Sequence, residues 1–444
     1  MNLTVRPGNP IQGVLTTSSP FHLPGDKSLS HRAALFAALA LGESKIDNFL
    51  DSGVTKPLLK ALRQLGVDWA LKGNSLWVQG KGLNSLQTSE QPIDCGNSAT
   101  TMRLLAGALA GQGVSAILDG SEGLRKRPMD RIVNPMQEMG VPVSASENGC
   151  APLFLLARKP QRKLHGGMFT LAQASAQVKT CLLLAGLGAD REVVISEPAL
   201  SRDHSERMLR AMGVQIQNLD PLTIALTPSE KQLKSLQMLL PGDFSAAAFL
   251  LVAALITPGS DLWIHGVGLN PGRTGLLDVL LAMGGYIEVI NKPDQAGEPI
   301  GDIHAQFSPL HAITISGDLV VRMIDEFPAF AIAAAVAKGT SLVRDAQELR
   351  FKESDRITSL IEHLNSLGVQ ATEAEDGFTI VGGSRIKGGK VPSLGDHRLA
   401  MSMAIAGLVG DAPIQIQFAE IINESFPHFA ELLSSLGAEM DWQG

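Results

Sequence analysis

Cysteine is scarce in this 444-residue chain. Only Cys95, Cys150 and Cys181 occur, odd in number and scattered. They offer no disulfide framework and no zinc-type spacing, and they suit a reducing compartment. Long apolar runs are missing as well. The longest, 244–257, is too short to cross a bilayer, and residues 1–7 show no signal-peptide core. A soluble cytoplasmic protein is the expectation. Excess positive charge is absent: the net charge is −7, which argues against nucleic acid or a membrane surface as partner but leaves room for a local basic pocket. Neither a Walker loop nor a Gly-x-Gly-x-x-Gly dinucleotide loop occurs, which lowers kinase and dehydrogenase readings.

Apolar residues make up 45% of the chain, and its 45 glycines fall mostly at element ends. Length and composition allow two or three domains with ample cores. A segment reading as an amphipathic helix that closes on Met-Gly or Leu-Gly recurs six times, with its glycines at 66, 140, 213, 284, 368 and 437. Each Gly is expected at the C′ position of a helix. Between these segments lie six others, starting near Lys27, Ser98, Ser175, Ser245, Phe327 and His397, each a polar turn followed by a helix of Ala, Leu, Met and Gly. Such helices are apolar nearly all round and belong inside a core. Strand-like runs such as 76–78, 263–265 and 378–381 separate the helices. Six units of about 74 residues therefore account for the chain. Pro241-Gly242-Asp243 echoes Pro24-Gly25-Asp26, which hints at two lobes of three units each.

Charge concentrates in the polar turns. In the first, Asp26, Lys27 and Ser28 precede an unbroken small-apolar run, with Ser30 and Arg32 at its head. A loop feeding a helix N-terminus with fixed positive charge beside it is an anion site. The second cluster holds Asn97, Ser98, Thr100 and Arg103, and a Gly-rich basic turn with Arg125, Lys126 and Arg127 follows. The third holds Ser175, Ala176, Gln177 and Lys179, with Ser201, Arg202, Asp203 and His204 after it. The fifth brings Asp325 and Glu326, then Arg350, Lys352, Glu353 and Arg356; the sixth brings Asp396, His397 and Arg398. If the buried helices run parallel within a lobe, Lys27, Arg32, Arg127, Arg202, Lys352, Arg356 and Arg398 could line one cleft for a multiply anionic ligand. Asp325 and Glu353 are then the acid/base candidates. Taken singly, Arg125–Arg127 reads better as a solvated turn, His397 equally as an N-cap, Asp203 and Glu326 as caps or ion-pair partners, and Cys95 as a buried thiol.

The ordered set 24–32, 96–103, 124–128, 174–179, 201–208, 350–356 and 396–400 resembles the EPSP synthase family, with 201–204 and 323–328 looking like its class II form. The resemblance implies a two-lobed inside-out α/β barrel of six βαβαββ repeats, three per lobe, with buried helices and sheets outside. The lobes would be 24–240, and 1–23 with 241–444, and the site would lie between them. It implies enolpyruvyl transfer from phosphoenolpyruvate to the 5-hydroxyl of shikimate 3-phosphate, without metal or organic cofactor; a monomer is expected, since two lobes already supply a complete cleft. On this reading Lys27, Ser28, Arg32, Ser175, Ala176, Gln177, Ser201, Arg202, Asp325 and Lys352 contact shikimate 3-phosphate. Lys27, Asn97, Ala99, Arg127, Gln177, Arg356, His397 and Arg398 contact phosphoenolpyruvate. Asp325 takes the 5-hydroxyl proton, and Glu353 or Lys27 protonates the methylene carbon. Three positions depart from the commoner family pattern: Glu424 stands where many members have Lys, Ala99 where many have Gly, and Glu348 where the better-known class has Asn. Ala99 implies tolerance of the inhibitor glyphosate. Two rival readings are the related enolpyruvyl transferase acting on UDP-N-acetylglucosamine, whose mobile loop usually carries a Cys that 119–127 lacks, and a non-catalytic repeat scaffold.

Overall fold

Six helices built from small and apolar residues occupy the cores: α1 (Lys27–Leu39), α2 (Ala99–Gln112), α3 (Ala176–Gly186), α4 (Phe244–Ile256), α5 (Phe327–Val336) and α6 (His397–Gly407). All thirteen residues of α4 are buried, as an all-round apolar helix requires. The computed structural model describes residues 1–159, 162–228, 231–383 and 385–444. Close packing of α2 on α3 depends on glycine. A Cβ on Gly107 would lie 2.3 Å from the Cys181 carbonyl oxygen, and one on Gly111 would lie 2.5 Å from that of Leu184.

The second helix type runs over Lys56–Gln64, Asp130–Glu138, His204–Ala211, Gly275–Ala282, Arg356–Ser366 and Phe429–Ser435. Gly66, Gly140, Gly213, Gly284, Gly368 and Gly437 follow these helices, each with φ between 80° and 112°. Every one completes a Schellman motif. The amide two residues past the C-cap bonds back to the fourth residue before the glycine, as from Val67 to Leu62 at 3.0 Å and from Val214 to Leu209 at 2.9 Å.

The contacts divide the chain into two units: Gly25–Leu240 with Asp294–Glu298, and Met1–Pro24, Pro241–Pro293 and Pro299–Gly444. Each unit has its own hydrophobic core and, among the described residues, three sheets. The expected βαβαββ order is plain at 93–155: strand Ile93–Asp94, α2, strand Ala116–Asp119, helix Asp130–Glu138, and strands Val143–Ser144 and Leu153–Leu155. The first two strands pair in parallel across α2; the rest of the sheet is antiparallel.

Three repeats are assembled from distant pieces of chain. The parallel partner of Ala40–Asp47 comes from 233–239, at the far end of its unit. That of Asp261–Gly268 is Gln12–Leu15, which precedes the whole other unit. Strand Asn2–Arg6 lies inside the last sheet, antiparallel to both Ile414–Gln417 and Glu439–Gln443. No helix among the described residues is long and apolar enough to cross a membrane.

Candidate active site

In the 25–240 unit the N-termini of α1, α2 and α3 are tied together by their own polar residues. Asp26 caps α1 by accepting from the Leu29 amide at 2.8 Å. Ser98 and Ser175 cap α2 and α3. His31 bridges α1 to α2: its ring nitrogens lie 2.8 Å from the Lys27 carbonyl oxygen and 3.3 Å from Ser98 Oγ. Burial lowers its pKa to about 4 against the pull of two carbonyl acceptors. Arg103 on α2 donates to Gln177 Oε1 at 2.7 Å and to the Pro128 carbonyl at 2.8 Å, while Gln177 Nε2 donates to Thr100 Oγ1 at 2.9 Å. One buried arginine thus fixes both Gln177 and the residue after Arg127.

Lys27, Ser28, Asn97, Ser175, Ala176 and Gln177 at these helix ends are half-buried, as are Arg127 and Arg202 in the turns that follow α2 and α3. Ser201 and Ala99 are buried. Arg32 is more deeply placed than these. It is 2% exposed, donating from Nε to Ser205 Oγ at 2.7 Å, from Nη2 to Thr180 Oγ1 at 3.0 Å and from Nη1 to the Ser28 carbonyl at 3.0 Å. Burial lowers its pKa to about 10, with Glu206 opposing. The basic turn divides three ways. Arg125 pairs with Asp119, Lys126 pairs with Glu122 at 2.8 Å, both in solvent, and only Arg127 is drawn in.

The other unit carries the acid/base candidates. Here the caps are acidic and hold arginines. Asp243 caps α4 and accepts from Arg273 Nη2 at 2.8 Å. Ser245 Oγ donates to Glu326, the residue ahead of α5, and accepts from Arg273 at 2.7 Å. Asp396 caps α6 through the amides of Arg398 and Leu399. The cap is therefore Asp396, and His397 is the first residue of the helix. Asp203 and Glu326 make no side-chain cap bonds; Asp203 pairs with Arg207 at 2.8 Å, and Glu326 lies 4.0 Å from Arg398.

Arg356, 1% exposed, sits among three carboxylates. Nε donates to Asp396 Oδ2 at 2.7 Å, Nη2 to Glu353 Oε2 at 2.6 Å, and Nη1 faces Asp325 Oδ1 at 3.6 Å. Burial opposes its charge, but Asp396 and Glu353 outweigh burial and raise its pKa. Among the described residues Nη1 has no hydrogen-bond partner. Arg398 Nη1 donates to the Asp325 main-chain carbonyl at 3.0 Å. Lys352 is half-buried; burial lowers its pKa, Asp325 raises it and Arg356 lowers it further. Glu348 is among the carboxylates that act on Lys352. Glu424 lines a groove of about 470 Å³ with Ser393, Leu394 and Gly395, the loop that leads into Asp396.

Arg273, Asp243 and Glu197 escape sequence reading. Each sits where only the fold reveals it, although Pro241-Gly242-Asp243 does repeat the pattern of the first cap. Cys95 is the expected buried thiol, its pKa raised by burial.

A family profile described as EPSP synthase (3-phosphoshikimate 1-carboxyvinyltransferase) matches residues 5–433. The chain belongs to the EPSP synthase family. It is 46% identical over 436 residues to the 3-phosphoshikimate 1-carboxyvinyltransferase of Citrifermentans bemidjiense, covering 98% of this chain and 99% of that one. Against that of Geobacter metallireducens the figures are the same. Among solved structures, an EPSP synthase from Acinetobacter baumannii superposes with a TM-score of 0.87 at 38% identity, over 99% of this chain and 100% of the other. The enolpyruvyl transferase NikO from Streptomyces tendae, at 18% identity and a TM-score of 0.80, shares the fold. The fold is thus the EPSP synthase family's two-lobed inside-out α/β architecture, with helices inside and sheets around them.

Proposed function

We propose that this chain is a 3-phosphoshikimate 1-carboxyvinyltransferase: it transfers the enolpyruvyl group of phosphoenolpyruvate to the 5-hydroxyl of shikimate 3-phosphate and releases phosphate, in aromatic amino-acid biosynthesis. The observation that carries the mechanism is Arg356 held among Asp325, Glu353 and Asp396. Two of those carboxylates, Asp325 and Glu353, are partly exposed, so a substrate can reach them, while Asp396 is buried and anchors the guanidinium.

In the proposed reaction Asp325 takes the 5-hydroxyl proton as the oxygen attacks C2 of phosphoenolpyruvate. Glu353 or Lys27 delivers a proton to the methylene carbon, giving a tetrahedral adduct. A methyl proton is then lost, the vinyl ether forms and phosphate departs. Charge passes through the phosphate and carboxylates throughout, so fixed cations stabilise the adduct. Shikimate 3-phosphate is assigned to Lys27, Ser28, Arg32, Ser175, Ala176, Gln177, Ser201, Arg202, Asp325 and Lys352. Phosphoenolpyruvate is assigned to Lys27, Asn97, Ala99, Arg127, Gln177, Arg356, His397 and Arg398. Since Arg32 and Arg356 are buried, they would contribute through their remaining donors and through charge. Lys27 and Arg127 belong to one unit and Asp325 and Arg356 to the other, so the reaction requires both half-sites to meet on the substrates. One chain supplies both, and we take the working form to be a cytoplasmic monomer.

The test is phosphate release on mixing the purified protein with both substrates. Release with shikimate 3-phosphate and none with UDP-N-acetylglucosamine is expected. The reverse preference, or no release with either acceptor, defeats the proposal.

A further inference from the structure

Lys179 lies one turn into α3 and is 2% exposed. Its ammonium donates to Glu197 Oε1 at 2.7 Å and to the Ser201 carbonyl at 3.4 Å, and it pairs with Glu206 Oε1 at 2.8 Å. Glu197 Oε1 also accepts from the Ser201 amide at 3.1 Å. Both main-chain groups of Ser201 are thus held by one buried ion cluster. Ser201 Oγ is itself buried and, among the described residues, has no hydrogen-bond partner, so the cluster presents a hydroxyl with unspent capacity. Arg202 follows directly. The same cluster reaches Arg32 by two routes: Thr180, next to Lys179, accepts from Arg32 Nη2, and Ser205, next to Glu206, accepts from Arg32 Nε.

Burying an ammonium and two carboxylates is costly unless the geometry repays it. Here the two glutamates outweigh burial and raise the lysine's pKa. Glu206 acts on Arg32 as well, so two cations face two anions. A hydrophobic side chain would fill the same space, but it could not hold a turn by both its N–H and its C=O.

We propose that Lys179 is a positioning residue that fixes Ser201 and Arg202 to receive the anionic groups of shikimate 3-phosphate, resting on the transferase function proposed for this chain. Its effect is confined to that substrate, because Lys179 contacts nothing assigned to phosphoenolpyruvate alone.

The experiment compares wild type, Lys179→Met and Lys179→Arg by calorimetric titration with shikimate 3-phosphate, and by the KM for phosphoenolpyruvate. Lys179→Met should weaken shikimate 3-phosphate binding at least tenfold and leave the phosphoenolpyruvate KM within threefold. Lys179→Arg, which keeps charge and donors, should recover part of the loss. Because Lys179→Met strands two buried carboxylates, thermal midpoints are measured alongside, and Lys179→Met/Glu206→Gln provides a variant with one of them neutralised. Unchanged shikimate 3-phosphate affinity, equal losses for both substrates, or failure of both methionine variants to fold makes Lys179 purely structural and overturns the proposal. Wild type that binds no shikimate 3-phosphate defeats the transferase function instead.

Discussion

Arg356 Nε lies 2.7 Å from Asp396 Oδ2, and the other oxygen of that carboxylate caps α6 by accepting from the Arg398 amide at 2.9 Å. One buried acid therefore sets the position of one arginine through its side chain and of a second through its backbone. Burial pushes its pKa up, but Arg356 and His397 together bring it below the ordinary value.

Asp396→Ala should destabilise the protein by about 3–5 kcal/mol, since it takes the one fully buried carboxylate from a buried guanidinium as well as removing a helix cap. It should also raise the KM for phosphoenolpyruvate. Chemical denaturation and steady-state kinetics check both. An unchanged denaturation midpoint would show that Glu353 and Asp325 hold Arg356 without Asp396.

Lys27 stands at the first position of α1, directly after its cap. Lys27→Met keeps the stem and removes the charge. Turnover should fall at least about 10²-fold, the effect of one positioned electrostatic group, with the thermal midpoint retained. Near-normal turnover in a folded variant would remove Lys27 from the mechanism.

His31 predicts an acid-sensitive stability. Its folded pKa, about 4, lies below the ordinary value of 6.5, so the native state binds fewer protons than the unfolded chain in between. Its contribution is complete above pH 6.5 and is lost as pH falls towards 4, by about 3 kcal/mol at 1.36 kcal/mol per unit. Equilibrium unfolding of wild type and His31→Gln across that window checks it. The variant should lose the part of the slope due to this group, and parallel curves would assign the slope elsewhere.

Ala99 is buried at the first position of α2, and it is among the residues proposed to contact phosphoenolpyruvate. Glyphosate is longer than phosphoenolpyruvate, so a methyl there should crowd it more. Overpacking by one methyl costs about 1–3 kcal/mol, or roughly five- to 150-fold in affinity. Ala99→Gly should lower the glyphosate inhibition constant by a factor in that range and leave the phosphoenolpyruvate KM nearly unchanged. Equal inhibition constants would clear Ala99 of any role in tolerance.

Much of the fold is readable in the residues because the repeat is written twice over. Six glycines at helix C′ positions and six small-apolar helices mark the units, and the polar turns mark the helix ends where charge gathers. Strand partnership is not readable. Ala40–Asp47 pairs with 233–239, and nothing local encodes a two- or three-residue strand whose register is set by tertiary packing. Sequence also treats an arginine as available. Arg32 and Arg356 are buried because each finds acceptors on elements far away in the chain, and charged residues are fully buried only when so paired. Arg273 and Glu197 stay hidden for the same reason.

The strand Asn2–Arg6, seated between Ile414–Gln417 and Glu439–Gln443, sets an order for folding on the ribosome. That strand must wait for its two partners, a delay of roughly 20–90 s at about 5–20 residues per second. Of the chain made after it, the 25–240 segment takes only Asp294–Glu298 into its unit, where Glu298 pairs with His204 at 2.9 Å, so it can close its own core meanwhile. In nascent chains stalled after residue 340, protease should spare that segment and cut near Val5, so a stretch made early would be among the last to be protected.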